Sequence, residues 1–426
     1  MIDIKRLRQD PEAVRAALRR RLDPALEAMI DGLLDLDRRR RESLVQVETL
    51  KAARNTASEE VARRKRSGES ADDLMAELKR SGDQVKQLEA RVRAIDAELE
   101  GLLLRVPNLP HADLPDGDGS ANPVLRSWGE PRRFEFQPRP HWELGETLGL
   151  FDLGRGTKLA GSGFLLFTGA GARLVRALIN FMLDLHTREH GYTEVCPPFV
   201  VNTATMTGTG QLPKFADDLY SVPGDGLWLI PTAEVPLTNI HRDEILERDR
   251  LPAAFVAYTP CFRREAGAAG KDTRGLLRMH QFDKVELVRL VSPETSEAEH
   301  ALLTQQAETV LQRLGLPYRV VVLAAGDVGF AAARTYDLEV WASGVGAWLE
   351  ASSSSTFTDY QARRLNLRYR PGAGAKPELV HTLNASGVAL PRTIAALLEH
   401  YQEADGSVRI PDALVPYLGA NRLPAP

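Results

Sequence analysis

The sequence predicts an α+β fold, with a long antiparallel helical coiled-coil arm at the N-terminal end followed by a larger domain of strands and helices. The chain has 426 residues, which is more than one ordinary domain holds. Residues 74–102 repeat apolar side chains with the period of a coiled coil. Residues 255–288 read as two strands, since apolar residues lie on either side of a charged loop.

The arm is predicted from two consecutive charged helices. Apolar residues of the second helix form one seam with a single polar interruption, and the seam positions are Leu74, Leu78, Ser81, Val85, Leu88, Val92, Ile95, Leu99 and Leu102. The first helix follows the same pattern less regularly from Ile30 onward. Residues 67–70 supply a turn, so about 35 residues per helix predict a hairpin roughly 50 Å long. Asp10 and Pro11 predict the start of a short helix before it.

Basic residues are concentrated towards the end of the first long helix. They are Arg54, Arg63, Arg64, Lys65 and Arg66. A run of cations is commonly a solvated helix face. A projecting arm with a basic tip also suits a nucleic-acid backbone, which it would hold without reading the base sequence. A coiled-coil partner protein is the third interpretation.

The composition is that of a globular protein, with 43% hydrophobic and 26% charged residues. A net charge of −4 gives no overall attraction to nucleic acid, so any such contact needs a local basic patch. The N-terminal residues lack the apolar run of a signal peptide, and no stretch could span a membrane, which predicts a cytoplasmic location. Cys196 and Cys261 are too few for a disulfide framework, and their apolar surroundings predict that both are buried.

Pro, Gly, Asp and Asn dominate a stretch that ends near residue 140, which predicts a linker. The sequence therefore predicts an N-terminal domain over residues 1–105, a linker over 106–140 and a second domain over 141–426. Within the second domain, residues 172–190 predict a helix and residues 191–201 a strand. Residues 379–383 predict another strand, with a turn at Asn384–Gly387 and a helix that Pro391 opens.

The loop between the two strands of residues 255–288 is rich in cations that neighbour carboxylates. Arg263 and Arg264 precede Glu265, and Lys271 and Arg278 follow. A guanidinium on a rigid strand can hold a phosphate or carboxylate through two parallel hydrogen bonds, which predicts an anion-binding site. A solvated hairpin of mixed charge is the alternative.

The same stretch resembles motif 2 of the class II aminoacyl-tRNA synthetases, and in detail that of the seryl-tRNA synthetase family. The string FRREAGAAGKDTRGLLRMHQFDKVEL over residues 262–287 carries the resemblance. Residues 172–200 resemble motif 1 and residues 379–403 resemble motif 3, so the resemblance spans nearly the whole chain. It implies a catalytic domain with an antiparallel sheet flanked by helices, a homodimer, and tRNA bound across the two subunits by the arm.

The resemblance implies a site that binds ATP, L-serine and Mg²⁺. Arg263 and Arg392 would be catalytic, Arg392 and Arg278 would hold the distal phosphates, and Phe282 would stack on adenine. The implied ATP-binding residues are Arg263, Arg264, Glu265, Arg278, Phe282, Glu350, Ala351, Ser352, Ser353 and Arg392. The implied serine-binding residues are Thr232, Ala233, Glu234, Arg263, Glu286, Asn384 and Ser386. Glu350 and Ser353 match the metal positions, although residues 352–355 alone read equally well as a polar turn. The basic residues of the arm, Arg54, Arg63, Arg64, Lys65 and Arg66, would bind tRNA.

The implied reaction joins serine to ATP as seryl-adenylate and transfers the seryl group to the 3′ end of tRNA(Ser), and of tRNA(Sec) where the host has one. One alternative is a paralogue that activates serine for another acceptor or confers resistance to a serine-mimicking antibiotic. Another is an inactive relative kept as a tRNA-binding scaffold. The active enzyme is favoured over this inactive relative by the retained residues Thr232, Glu234, Arg263, Glu265, Glu286, Glu350 and Arg392.

Overall fold

The structure is a computed structural model that describes residues 1–266 and 274–425. Lys271 and the rest of the predicted motif 2 loop over residues 267–273 lie outside the described residues. The chain divides into two compact units. One comprises Ile2–Arg19 and Asp23–Pro107, and the other comprises Met1, Arg20–Leu22 and the chain from Asn108 onward. Within the described ranges, no helix is both long enough and apolar enough to cross a membrane.

The N-terminal unit is helical. Its helices are α1 (Ile4–Gln9), α2 (Pro11–Arg19), α3 (Ala25–Ser67) and α4 (Asp72–Leu103). The predicted start at Asp10 and Pro11 is confirmed as the start of α2, because the Asp10 carboxylate accepts a hydrogen bond from the Ala13 amide at 3.0 Å. At the end of α3, Gly68 adopts φ +76°, which reverses the chain towards α4.

Helices α3 and α4 form the predicted antiparallel pair. Near the base, the position of a Cβ on Gly32 would be 3.2 Å from the Leu102 side chain. Further along, Lys51 pairs with Glu89 at 3.0 Å, and near the tip Arg64 pairs with Asp73 at 3.3 Å. As the residue number increases along α3, the residue number of its partner in α4 decreases, as an antiparallel hairpin requires. The seam of α4 is buried at Val85, Val92, Ile95 and Leu99.

The second unit combines helices and strands. Its helices are α5 (His141–Thr147), α6 (Leu153–Ala160), α7 (Gly169–Arg188), α8 (Thr203–Thr209), α9 (Glu234–Thr238), α10 (Ser296–Arg313), α11 (Tyr360–Leu365), α12 (Leu390–Tyr401) and α13 (Val415–Leu418). Its strands are β1 (Val124–Trp128), β2 (Phe151–Asp152), β3 (Leu166–Phe167), β4 (Thr193–Glu194), β5 (Val200–Asn202), β6 (Ser221–Val222), β7 (Leu227–Leu229), β8 (Ile245–Glu247), β9 (Ala253–Phe262), β10 (Gln281–Val291), β11 (Tyr318–Val322), β12 (Arg334–Ala342), β13 (Ala347–Thr358), β14 (Arg368–Arg370), β15 (Glu378–Leu379), β16 (His381–Ala389), β17 (Val408–Arg409) and β18 (Arg422–Leu423).

The largest sheet in the described part of the chain has eight strands in the order β1-β11-β12-β13-β16-β10-β9-β4. Its pairs are antiparallel except for β4 beside β9. The predicted α+β fold with an antiparallel sheet is therefore confirmed. Strands β9 and β10 form the predicted hairpin, with Phe262 opposite Gln281 at the end that carries the connecting loop.

The core of the second unit lies between this sheet and the helices α7, α10 and α12. Leu178 and Met182 of α7 and Ile394 of α12 pack with Val285 and Leu287 of β10. Because side chains alternate along a strand, Lys284 and Glu286 point away from that core. The polar face of β10 therefore lines the cavity described below.

Three local predictions are wrong. Residues 191–201 form two short strands instead of one, because Pro197 and Pro198 lack the N–H groups that a continuous ladder needs. Asn384 lies within β16 instead of in a turn, because β10 and β13 pair with it on both sides. Cys196 is exposed in the irregular segment between β4 and β5, whereas Cys261 is buried in β9 as predicted.

Candidate active site

A cavity of about 660 Å³ opens onto the polar face of the large sheet. Residues of β10, β12, β13 and β16 line it, together with the start of α12 and the segment between β9 and β10. Of the predicted ATP- and serine-binding residues, the cavity wall contains Thr232, Glu234, Arg263, Glu265, Arg278, Phe282, Glu286, Glu350, Ala351, Ser353, Asn384, Ser386 and Arg392. Residues far apart in the sequence are thus brought to one surface.

Arg263 follows the end of β9 at the cavity wall. Its backbone N–H donates to the carbonyl of His280 at 2.9 Å, which continues the β9–β10 ladder by one residue. Its Nε donates to the carbonyl of Pro231 at 3.3 Å, and its guanidinium carbon lies 5.1 Å from the centre of the Phe282 ring. The guanidinium is therefore held by backbone and ring on the side of the cavity that carries Phe282.

Glu265 and Arg278 form an ion pair on the same wall. Arg278 Nε donates to Glu265 Oε2 at 2.6 Å. Glu265 has φ +52°, a conformation that a residue other than glycine rarely adopts. Such backbone strain is found most often at functional sites, and here it coincides with a carboxylate that faces the cavity.

Arg392 lies at the start of α12 and reaches strand β13. It donates to the backbone carbonyl of Glu350 at 2.7 Å and lies 3.3 Å from the Glu350 carboxylate. Pro391 precedes it in the first turn of α12, where the missing N–H costs nothing. The arginine is therefore presented to the cavity by a helix end and anchored to the strand that carries Glu350.

A second acidic residue lies beside the predicted metal positions. Asp337 of β12 stands opposite Ser353 of β13 in the sheet register, and the Ser353 hydroxyl donates to the Asp337 carboxylate. Burial raises the pKa of Asp337 well above its ordinary value, and the neighbouring Glu350 carboxylate adds to the rise. The two acids therefore repel each other in the absence of a cation.

Two buried carboxylates lie deeper in the cavity. Glu286 is fully buried, pairs with Lys284 at 2.5 Å and accepts a hydrogen bond from the Asn384 amide at 2.9 Å. Lys284 also donates to the Thr232 hydroxyl at 2.8 Å. Burial raises the pKa of Glu286 despite the opposing effect of Lys284. Of the two buried carboxylates, Glu286 therefore already has a cationic partner within the protein.

Glu234 is the other carboxylate, and its direct contact is with an amide. Gln361 Nε2 donates to Glu234 Oε1 at 2.7 Å, and Gln361 is itself fixed by a 2.6 Å hydrogen bond from the Thr382 hydroxyl. Burial and the charge of Glu286 raise the pKa of Glu234 to about 7. The direct hydrogen-bond partner of Glu234 is therefore a neutral amide, so the buried carboxylate can pair with a cationic group of a ligand.

Three predicted residues lie outside the cavity wall. Ala233 and Ser352 are buried, and the Ser352 hydroxyl donates to the carbonyl of Ser386, so it supports the neighbouring strand. Arg264 is exposed, and its guanidinium lies 5.7 Å from the centre of the Tyr220 ring. The two neighbouring arginines therefore contact different rings, and Tyr220 is not part of the cavity wall.

The sequence analysis missed three polar residues of the site. Lys284 lies between Phe282 and Glu286 on one face of β10, so the two-residue period of a strand could have identified it. Asp337 is one of two acids on β12, with Glu339 two residues later, which is a weaker signal of the same kind. Gln361 is 127 residues from its partner Glu234, and no pattern in the sequence joins the two.

The basic residues of the arm are partly paired within their own helix. Arg63 makes two hydrogen bonds of 2.7 Å to Glu60, and Arg64 contacts both Glu60 and Asp73. Lys65 is exposed, and Arg66 donates to the carbonyl of Ala62 at 3.1 Å. Arg54 is half-buried further from the tip. The structure thus places Lys65 and Arg66 beside two arginines whose charges are matched by acids.

The cavity combines cations on one part of its wall with carboxylates deeper inside. The cations suit phosphate and carboxylate groups, and the buried acids suit an ammonium group. The Glu350 and Asp337 carboxylates and the Ser353 hydroxyl are hard oxygen donors of the kind that Mg²⁺ prefers. Over residues 1–266 and 274–425, no cluster of three or more His, Cys, Asp or Glu side chains has the arrangement of a metal cage.

Comparisons with known proteins cover both units. Residues 220–401 match the family described as tRNA synthetase class II core domain (G, H, P, S and T), and residues 1–110 match the Seryl-tRNA synthetase N-terminal domain. The chain is 56% identical over 420 residues to the serine–tRNA ligase of Gemmatimonas aurantiaca, covering 98% of this chain and 99% of that protein.

Solved structures agree with these matches. The seryl-tRNA synthetase from Pyrococcus horikoshii complexed with ATP is 38% identical, with a TM-score of 0.95 and full coverage of both chains. The cytoplasmic serine–tRNA ligase from Naegleria fowleri in complex with AMP is 28% identical, with a TM-score of 0.89 over 99% of this chain and 98% of that one. The chain belongs to the seryl-tRNA synthetase family, the serine–tRNA ligases among the class II aminoacyl-tRNA synthetases.

Proposed function

We propose that the chain activates L-serine with ATP and transfers the seryl group to the 3′ end of tRNA(Ser). The observation that carries the proposal is the meeting of Arg263, Phe282 and the Glu234–Glu286 pair in one cavity. Activation brings the serine carboxylate to the α-phosphate of ATP, so two anions must approach each other. A fixed cation between them lowers their repulsion, and the buried acids hold the ammonium group of the same amino acid.

The three arginines that line the cavity each have a part in this reaction. Arg263 lies between the two reacting anions, and its contact with Phe282 places it beside the ring on which adenine stacks. Arg278 and Arg392 hold the distal phosphates of ATP and favour the departure of pyrophosphate. The substrate carboxylate is already ionised, so activation needs no general base.

The oxygen donors of Glu350, Ser353 and Asp337 fit Mg²⁺. This ion is commonly bound by one or two protein carboxylates together with substrate phosphates. Glu350 and Ser353 would hold the ion. The ionised form of Asp337 would be stabilised, because a cation relieves its repulsion with Glu350. When bound, the ion would neutralise phosphate charge. The side chains themselves orient the nucleotide.

The serine pocket assigns different parts to the two buried acids. Glu286 is matched by Lys284, whereas Glu234 is supported by the Gln361 amide. We therefore assign the substrate ammonium to Glu234 and the hydroxyl to the group formed by Glu286, Thr232 and Asn384. Alanine would leave that second group without its hydrogen bonds, which is a strong reason for rejecting it.

Several features of the proposal rest on the family alone. They are a homodimer with tRNA bound across the subunits and the charging of tRNA(Sec) where the host has one. The proposed cytoplasmic location rests also on the N-terminal sequence. The deciding experiment is serine-dependent exchange of pyrophosphate into ATP, followed by aminoacylation of tRNA(Ser). Exchange with serine, none with alanine, and charging of tRNA(Ser) are the expected results. Exchange without charging would instead indicate another acceptor for the activated serine.

The pH dependence of serine activation tests the part of Glu234. Its pKa of about 7 leaves the carboxyl protonated below that pH, and only the ionised form attracts an ammonium group. We expect kcat/KM for serine in the exchange reaction to fall as the pH drops below about 7 and to level off above about 8. Glu234→Gln should be much less active and should lose this inflection. A flat wild-type profile between pH 6 and 8 would contradict the assignment.

A further inference from the structure

A buried histidine outside the residues assigned so far joins two elements that each contribute residues to the cavity wall. His141 is the first residue of α5, and its side chain is completely buried against the equally buried Glu399 of α12. His141 Nδ1 lies 2.7 Å from Glu399 Oε1. On the other side of the ring, the backbone N–H of Leu276 donates to Nε2 at 3.0 Å. One imidazole therefore connects α12 with the segment that follows the motif 2 loop.

The two bonds fix the protonation of the ring. Because the Leu276 N–H is a donor, Nε2 must offer a lone pair, and the single proton lies on Nδ1, where it points at Glu399. Glu399 also accepts the backbone N–H groups of His141, Gly344 and Val345 at 2.7–3.1 Å. The carboxylate thus holds the histidine in one tautomer and one orientation.

The segment against His141 is built for this close approach. Gly275 has φ +68°, and a Cβ at that position would lie 2.5 Å from His141 Nε2. Leu276 is buried and lines the cavity, and Arg278 follows two residues later. On the other side, Glu399 lies two turns after Arg392 in the same helix. The histidine therefore links the supports of the two arginines assigned to the distal phosphates.

We propose that His141 is a positioning residue for ATP, which sets the place of Arg278 by accepting the Leu276 N–H at Nε2, while the Glu399 carboxylate orients the ring. The inference rests on the proposed function for the identity of the nucleotide. His141 touches no reacting atom in this scheme. Its effect on ATP passes through the Leu276 N–H, so the acceptor at Nε2 is the property that matters.

Two replacements separate the two bonds. His141→Gln reaches as far as Nε2 and keeps an acceptor for Leu276, but it loses the bond from Nδ1 to Glu399. His141→Asn reaches only as far as Nδ1, so it keeps a donor for Glu399 and leaves the Leu276 N–H unpaired. We expect His141→Asn to raise KM and Kd for ATP about tenfold, the effect of one unmade buried hydrogen bond, with KM for serine nearly unchanged. His141→Gln should stay within about threefold of the wild type.

If His141 had a purely structural role, His141→Gln would be the more damaging of the two replacements. Loss of the Glu399 bond would then be the larger defect, so His141→Gln would have the lower Tm and the lower activity. Thermal unfolding of both variants gives that comparison. His241→Asn is the control, because His241 also pairs with a glutamate, at 2.8 Å, but this pair is partly exposed and has no bond to Leu276. It should leave Kd for ATP unchanged.

Gly275→Ala tests the same contact from the other side. The added methyl group collides with His141 Nε2, so this variant should weaken ATP binding as much as His141→Asn does, and it decides the question if His141→Asn fails to fold. Equal Kd values for ATP in wild type, His141→Asn and Gly275→Ala would overturn the inference, as would a His141→Gln defect equal to that of His141→Asn. Calorimetric Kd values keep the test separate from catalysis. A wild type that binds ATP without serine-dependent exchange overturns the proposed function alone, and one that does not bind ATP overturns both.

Discussion

Replacement of Arg263 by alanine is expected to reduce serine-dependent pyrophosphate exchange by about 100- to 1,000-fold, the cost of removing one fixed charge-stabilising group from a transition state. The guanidinium is held between the Pro231 carbonyl and the Phe282 ring at the cavity wall. Its loss leaves the carboxylate and the α-phosphate to approach without that charge between them. The defect should appear mainly in kcat, since the repulsion is greatest as the new bond forms.

The neighbouring arginine supplies the control for this prediction. Arg264→Ala removes the same charge one residue away, but the Arg264 side chain contacts Tyr220 and lies outside the cavity wall. We expect a loss of less than about fivefold, which is typical of a partly screened surface charge. Similar losses in both variants would mean that overall charge, and not the position of Arg263, controls the reaction. Near-normal exchange by Arg263→Ala would refute its catalytic part.

The sequence was most informative where a long string carried several residues of known chemistry. Residues 262–287 predicted six residues of the site, of which Arg263, Glu265, Arg278, Phe282 and Glu286 line the cavity and Arg264 does not. Lys284 belongs to the same string and shares one face of β10 with Phe282 and Glu286, but only the two-residue period of the strand identifies it. A pattern thus identifies residues more readily than it identifies their partners.

Long-range pairing explains the failures. Asn384 and its neighbours have the composition of a turn, but β10 and β13 pair with them on both sides and hold them in a strand. The contact between Gln361 and Glu234 forms only when α11 packs beside α9 and the sheet. The pKa of Glu234 also depends on that packing, since burial is the first cause of its rise. Local composition carries no information on such contacts.

Deletion of residues 28–104, with a short glycine-serine linker in their place, is expected to separate the two steps of the reaction. Gly32 and Leu102 lie against each other at the base of the hairpin, so a short linker can join the cut ends. The residues of the cavity wall all lie beyond residue 200, so exchange of pyrophosphate should stay within about threefold of the wild type. Charging of tRNA(Ser) should fall at least about 100-fold, because the phosphate contacts that hold the tRNA are lost.

Point variants of the intact arm show whether charge or shape is responsible. Lys65→Ala combined with Arg66→Ala should raise KM for tRNA more than Arg63→Ala does, because Arg63 is already paired with Glu60 through two hydrogen bonds of 2.7 Å. KM for tRNA in the wild type should rise with salt, and the double variant should show a shallower rise, because each lost phosphate contact lowers the salt slope. Equal charging with and without the arm would contradict the tRNA-binding assignment. An arm that is required but insensitive to these charges would instead hold its partner by shape.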